Sequence, residues 1–207
     1  MAGISYVEYR KTAKMTFDEF GMVHSENDEP SQVLPNGTKR WSYHGVLHRD
    51  DNKPASYHVK GTTTTITYAT FGQITKIEDV KTADHNNKRR EVFYENGYTV
   101  RHKKYNNGIL IRDDRFFNGS YGDAKGILGY NTFYGAKPTS ITYYVTGELE
   151  SEAWFFNNKL CRYDGPAKIS YNIDGTIKKE TWAILNRQSS LSEESIQSLL
   201  KLKALGI

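Results

Sequence analysis

The amino-acid sequence predicts an all-β chain, an elongated antiparallel β-meander of repeated hairpins that ends in a short C-terminal amphipathic helix. Three observations predict it. The stretch Trp41 to Gly61, WSYHGVLHRDDNKPASYHVKG, repeats the punctuation of the residues 24 positions before it. Turns of the form aromatic-Asn-Gly recur every 11 residues through the middle of the chain. The composition sets 15 Tyr, 9 Phe and 3 Trp against only 3 Met, and aromatic residues suit a pleated, half-buried surface better than a helical bundle.

Length and composition bound the rest. At 207 residues, 37% hydrophobic and 25% charged, the chain has the size of one globular or repeat domain. It lacks an apolar run of membrane-spanning length, so a soluble protein is expected. The single cysteine, Cys161, excludes an intramolecular disulfide framework, makes a Cys-ligated metal site implausible and leaves a reducing compartment as the default. The start, MAGISYVEYRK, lacks the apolar core of a classical signal peptide.

Taken in order, Ile4 to Phe17 reads as an opening strand marked by Tyr6, Tyr9 and Phe17, capping one end of the sheet. Two repeat units follow. Gly45, His48, Pro54 and Gly61 of the second fall on Gly21, His24, Pro30 and Gly37 of the first without insertion, and Trp41 falls on Phe17. Each unit runs from an aromatic lead-in through a Gly turn, an apolar pair and a polar turn before Pro, then a strand closing at Gly. Glycine supplies the positive φ of a tight hairpin turn, while proline belongs at a strand start or bulge.

Thr62 to Tyr68, TTTTITY, is β-branched and predicts a strand whose hydroxyls can face water. Gly97, Gly108 and Gly119, introduced by FYENG, KYNNG and RFFNG, predict successive type I′ hairpins. The glycine-rich stretch Ser120 to Lys137 breaks the rhythm as an insertion or loop. A strand over ITYYV restores it before the third repeat copy, WFFNNKLCRYDGPAKISYNIDG. There Trp154, Leu160, Arg162, Asp164, Pro166 and Ala167 meet Trp41, Leu47, Arg49, Asp51, Pro54 and Ala55. A last hairpin turns at Asp174-Gly175 and leads to Trp182.

Residues 190–207 are of a different kind, so the expected division is 1–189 as the β-hairpin repeat domain and 190–207 as a helix. Ser190 or Ser192 serves as N-cap, Glu193 and Glu194 occupy the first turn, and Lys201 and Lys203 lie near the end. Ile196, Leu199, Leu200 and Ala204 share one face. The helix either covers the end of the sheet or docks a partner through Ile196, Leu199 and Leu200.

At LHRDDNKPA and LCRYDGPA the chain resembles the variant MORN-type repeats, whose units run aromatic, Asn-Gly-x-Leu-His-Arg-x-Asp-Gly-Pro-Ala. Such units occur in proteins of giant DNA viruses, large phages and some bacteria. The resemblance covers Phe17 to Gly61 and Trp154 to Trp182, with Ser25 in place of Arg in the first copy and Cys161 in place of His in the third. It implies a β-meander with one hairpin per repeat, used for protein-protein contact or membrane apposition, and it brings no catalytic residue. A viral assembly, with a cytoplasmic or virion location, follows from the resemblance alone.

The site residues are read against this frame of Trp41, Gly45, Pro54, Trp154, Asp164, Pro166 and Trp182. His48, Arg49 and Asp51, echoed by Arg162 and Asp164, place a cation and a carboxylate two residues apart on one strand face. They form a register-fixing pair or a partner-binding site, and the pair is preferred because exposed ion pairs mainly fix geometry. The segment 88–105 interleaves Lys88, Arg89, Arg90, Arg101, Lys103 and Lys104 with Phe93, Tyr94, Tyr98 and Tyr105. It reads as a core face with solvated charges or as a surface for nucleic acid or anionic lipid.

No metal and no cofactor are expected: His44 and His48 flank a glycine in a turn, and His24, His58, His85 and His102 are scattered. A GxSxG elbow does not occur. The sequence therefore supports a non-enzymatic interaction or structural component that holds another protein, its sheet exposing Arg, His, Tyr and Thr on one face over a core on the other. The alternative is a nucleic-acid or anionic-surface module on strands 88–105. A hydrolase would need His48 or His102 to meet a carboxylate and a hydroxyl in one pocket.

Overall fold

A computed structural model describes residues 6–10, 13–82, 87–117, 120–121, 137–156, 158–162, 165–184 and 187–188. The expected helix with Ile196, Leu199 and Leu200 lies outside these, as do Asp164, Gly119 and most of the glycine-rich segment. Among the described residues every regular element is a strand, and the main sheet follows chain order, with short two-stranded hairpins set off from it. None of the described residues forms a helix long and apolar enough to cross a membrane.

The chain divides into two compact units, Met1–Thr99 with Lys104–Gly108 and Val100–Lys103 with Ile109–Ile207. In the first, the sheet runs in order through Tyr6–Arg10, Ala13–Phe17, Gln32–Val33, Lys39–Arg40, Ser56–Lys60, Thr63–Thr70, Gln73–Lys81 and Lys88–Glu95. The opening strand of the sequence reading is thus a hairpin of two strands, pairing Tyr6 with Phe17 and Arg10 with Ala13. In the second unit the order is Ile109–Phe117, Ser140–Tyr143, Leu149–Ala153, Lys168–Tyr171 and Ile177–Thr181. The meander of repeated hairpins is present in both.

Each repeat adds a small hairpin outside the main sheet: Ser42–Tyr43 with Val46–Leu47 in the second copy, Phe155–Phe156 with Lys159–Leu160 in the third. Its base is tied to the sheet by a recurring pair of bonds. The Trp41 N–H donates to the Ala55 carbonyl (2.8 Å) and the His48 N–H to the Trp41 carbonyl (3.1 Å). Trp154, Ala167 and Cys161 repeat both at 2.9 Å.

In the first copy Thr16, not Phe17, makes these bonds, with Ser31 and His24. The gapless alignment of Trp41 on Phe17 is therefore one residue out before the glycine. The pair Phe17–Val23 closes a loop one residue longer than Ser42–Leu47 closes. With no indole to bury, Thr16 donates its hydroxyl to the His24 carbonyl (2.6 Å), and Phe17 stacks on Tyr6 instead, centroids 4.7 Å apart.

The core consists mainly of these seams. Ala55, Ala69, Ala153, Ala167 and Ala183 are buried together with Trp41 and Trp154. Their carbonyls accept the small-hairpin and strand-base N–H groups: Ala69 from Arg49, Ala183 from Arg162 and Ala153 from Thr139. Backbone meets backbone there, and the side chains in the seam are small. Ser31 takes the place of Ala55 in the first copy, fully buried, and donates its hydroxyl to the Arg40 carbonyl at 3.1 Å.

The expected opposite core face does not extend through the middle strands. From Thr63 to Glu95 the buried residues among those described are Ala69, Glu91 and Val92. TTTITYAT and QITKIEDVK lack the alternating apolar pattern that a covered face requires. A cross-strand polar ladder holds this part instead. The Lys76 ammonium lies over Tyr68 (4.4 Å) and pairs with Glu78, and Arg89 lies over Tyr105 (4.1 Å), whose hydroxyl donates to Glu91 at 2.8 Å. Burial first, then the Glu78 carboxylate, push the Tyr68 phenol up to about 12, so it remains a donor at neutral pH.

Candidate functional site

The tip of the small hairpin at His44-Gly45 lies next to residues 23–24, and the turn Phe71-Gly72 between the main-sheet strands Thr63–Thr70 and Gln73–Lys81 lies next to residues 47–48. His44 and Gly45 have φ of 45° and 82°, and Phe71 and Gly72 have 45° and 80°, the paired left-handed geometry of a type I′ turn. Such a turn presents two free N–H groups. Those of His44 and Gly45 donate to His24 Nδ1 (3.3 Å) and the Val23 carbonyl (2.8 Å) of the preceding repeat. Those of Phe71 and Gly72 donate likewise to His48 Nδ1 (3.2 Å) and the Leu47 carbonyl (2.8 Å). The histidine of the repeat is thus the acceptor for the next turn, which explains why His24 and His48 are buried.

Arginine serves the same seam. The Arg49 guanidinium lies 3.9 Å over the Trp41 ring and donates to the Pro54 carbonyl at 3.0 Å. Arg162 does the same over Trp154, also at 3.9 Å, and donates to the Pro166 carbonyl at 3.4 Å. A Cβ on Gly165 would lie 3.1 Å from the Arg162 Cζ, so a larger residue there would have to push the guanidinium aside by a few tenths of an ångström.

The carboxylate partner of Arg49 is not Asp51, as the spacing suggested. Asp51 sits in the left-handed region with φ 60° and points into solvent, near Lys53. Asp28 of the preceding repeat takes its place, accepting from Arg49 Nε (2.6 Å), Arg49 Nη2 (3.0 Å) and Lys53 Nζ (3.0 Å). Arg49 above all, then Lys53, holds the Asp28 carboxyl well below the usual carboxylate range. The Asp28 carbonyl also accepts the Trp41 indole N–H at 2.9 Å. In the first copy Ser25 replaces Arg, and its hydroxyl oxygen accepts the Ser31 and Ser42 N–H groups, each at 3.1 Å.

The first tip junction differs chemically from the second. Asp18, fully buried, accepts the Phe20 and Met22 N–H groups (2.9 Å each) and His44 Nδ1–H at 2.6 Å. Burial raises its pKa most strongly. The Met22 N–H, the His44 ring and the Phe20 N–H together outweigh that and keep the carboxyl below its ordinary value. The His24 and His44 rings are 4.9 Å apart, and one ligating atom from each of Asp18, His24 and His44 lies within 4.8 Å of the others. The histidines that are scattered in the sequence are here brought together. At the second junction Phe71 stands where His44 does and stacks on His48 at 4.1 Å.

Outside these seams the tips carry an apolar row. Phe20 is 71% exposed, Phe71 61%, Met22 50%, and Tyr43 and Val46 43% each. The row is continuous: a Cβ added at Gly45 would touch Met22 and one at Gly72 would touch Val46, each at 3.9 Å, and the Tyr43 and Phe71 rings are 5.7 Å apart. Beside it a cleft of about 400 Å³ separates residues 24–28 from residues 48–53, walled by Trp41 and Tyr43 and by the charges of Asp28, Arg49, Asp50 and Lys53.

The basic strands carry largely paired charges. Arg89 meets Glu91 at 3.8 Å, Arg90 meets Asp79 at 2.5 Å, and Arg101 forms a two-pronged bond with Asp113 at 2.8 and 2.6 Å. Lys88 and Lys104 are exposed and Lys103 is half-buried. His48 Nε2 faces Asp50 at 3.2 Å, so its ring is placed between a carboxylate and a backbone N–H.

Sequence reasoning missed Asp18, Asp28 and the tip aromatics. Asn27-Asp28 and Asp51-Asn52 occupy matching turns and all four residues have positive φ, so the pairing of Asn and Asp ahead of Pro in both copies was the available signal for Asp28. No protein-family model matches the chain, and comparison with curated proteins and with solved structures finds no match.

Proposed function

We propose that this protein is a non-enzymatic interaction module that binds another protein along its stacked hairpin tips. The observation that carries this reading is the continuous exposed row of Phe20, Met22, Tyr43, Val46 and Phe71. A run of large apolar side chains at turn tips, where polar residues would serve the fold equally well, is costly unless a partner covers it. The seams behind the row are closed by hydrogen bonds from the turn N–H groups, which favours a preorganised surface. The resemblance to variant MORN-type repeats agrees with an assembly role, and a viral setting extends the proposal from that resemblance.

The test is affinity capture with the whole chain followed by mass spectrometry, comparing wild type with Phe20→Ser, Met22→Ser and Val46→Ser combined. Circular dichroism should be unchanged and a specific partner should be lost. Retention of that partner by the folded triple variant would remove the tips as the docking surface. Anionic-surface binding by the strands 88–105 is the weaker reading, since Arg89, Arg90 and Arg101 face carboxylates. Titration of single-stranded oligonucleotide against salt separates the two: capture through the tips survives high salt, whereas phosphate binding falls steeply.

A further inference from the structure

We propose that Asp18, His24 and His44 form a binding site for one divalent transition-metal ion of zinc or cobalt type at the first tip junction. Two imidazoles and one carboxylate are ligands of the kind such ions take, and one ligating atom of each already lies within 4.8 Å of the others. A tetrahedral or octahedral ion with bonds of about 2.0–2.2 Å needs its ligand atoms roughly 3 Å apart. The His44–Asp18 contact at 2.6 Å has to open slightly, and the His24 nitrogen has to move in. On binding, the ion takes the place of the proton between His44 Nδ1 and Asp18 Oδ2, and the neutral ring then carries its one proton on Nε2, through exchange with solvent. The ion also takes the His24 Nδ1 lone pair, in exchange for the longest bond of the junction, the 3.3 Å contact from the His44 N–H. Water completes the coordination from the side where the His44 side chain, 29% exposed, meets solvent.

The internal repeat argues that the cluster is more than a requirement of folding. Asp18 has a structural task, capping the Phe20 and Met22 N–H groups of the longer loop. The His44 ring serves only Asp18, because the second junction makes the same two turn bonds with Phe71 in its place. The buried carboxylate held by backbone N–H groups corresponds to the outer support that orients metal ligands elsewhere.

The whole chain, stripped with chelator, is titrated with Zn²⁺ by calorimetry and with Co²⁺ by visible absorption near neutral pH. One equivalent is expected to bind, with a visible Co²⁺ spectrum and a rise in thermal midpoint. His44→Phe copies the second junction and should fold; it is expected to lower affinity more than about tenfold, as loss of one ligand should do at least as strongly as loss of an outer-shell support. Asp18→Asn should do the same, while His48→Gln should leave the one-equivalent site intact. Saturable binding that His44→Phe does not weaken, or no saturable binding by wild type, overturns the proposal.

Discussion

At the scale of single residues, the repeat motif is a set of hydrogen-bond assignments. His48 accepts the Phe71 N–H in a buried seam, so His48→Ala leaves that donor without its partner. The expected cost is about 1–3 kcal/mol in denaturant unfolding, the penalty for an unsatisfied buried donor. A loss below a few tenths of a kcal/mol would mean that water replaces the ring. Asp28 gives a pH signature. Its folded-state pKa is depressed by Arg49 and then Lys53, so its stabilisation is fully present above the unfolded value near about 4 and is lost as pH falls through the depressed value. The stability gap between wild type and Asp28→Asn should therefore be largest near neutral pH and shrink on acidification. Unfolding midpoints at several pH values check this, and a gap independent of pH would refute it.

Two glycines show how the hairpin elements are specified by different physics. Gly45 needs its freedom of backbone, since φ is 82° and an added Cβ would meet Met22 only at an ordinary 3.9 Å. Gly45→Ala should cost about 1–2 kcal/mol, the penalty of the left-handed region, with no disturbance of neighbouring side chains. Gly165 needs space instead, because a Cβ there would press on the Arg162 guanidinium at 3.1 Å. Gly165→Ala should lift Arg162 from Trp154, visible as a change in tryptophan emission that Gly45→Ala does not produce. The last hairpin makes a related point. Asp174-Gly175 does turn the chain, but only Gly175 is left-handed, and Asp174 accepts the Thr176 N–H at 2.9 Å. The aromatic-Asn-Gly turns at Asn96 and Asn107 have both residues left-handed.

For the molecule as a whole, stability should be a sum over seams, as in other repeat arrays. Arg49 and Arg162 stack on different tryptophans and belong to different compact units. Arg49→Ala and Arg162→Ala should thus add within about 0.5 kcal/mol, whereas Arg49→Ala and Trp41→Phe, which share one stack, should not. Double-mutant cycles in denaturant measure both. Strong coupling between the two arginines would show that the chain does not behave as a sum of seams.

The sequence by itself determined the strand character of the repeats and the hairpin periodicity, because turn glycines, β-branched strands and repeated spacings act over a few residues, whereas the stack of Arg49 on Trp41 came from the structure. It also placed the strands around Asn96-Gly97 and Asn107-Gly108, where two adjacent residues dictate the turn. The bonds between repeats were legible only in part. Arg49 reaches Asp28 across 21 positions, and His44 reaches Asp18 across 26. Only the tertiary structure decided those partners, since they sit in neighbouring repeats and local spacing does not encode contacts across a seam. The same holds for the tip row: Phe20, Tyr43 and Phe71 are ordinary aromatics along the chain, and stacking of successive turns is what joins them into one surface.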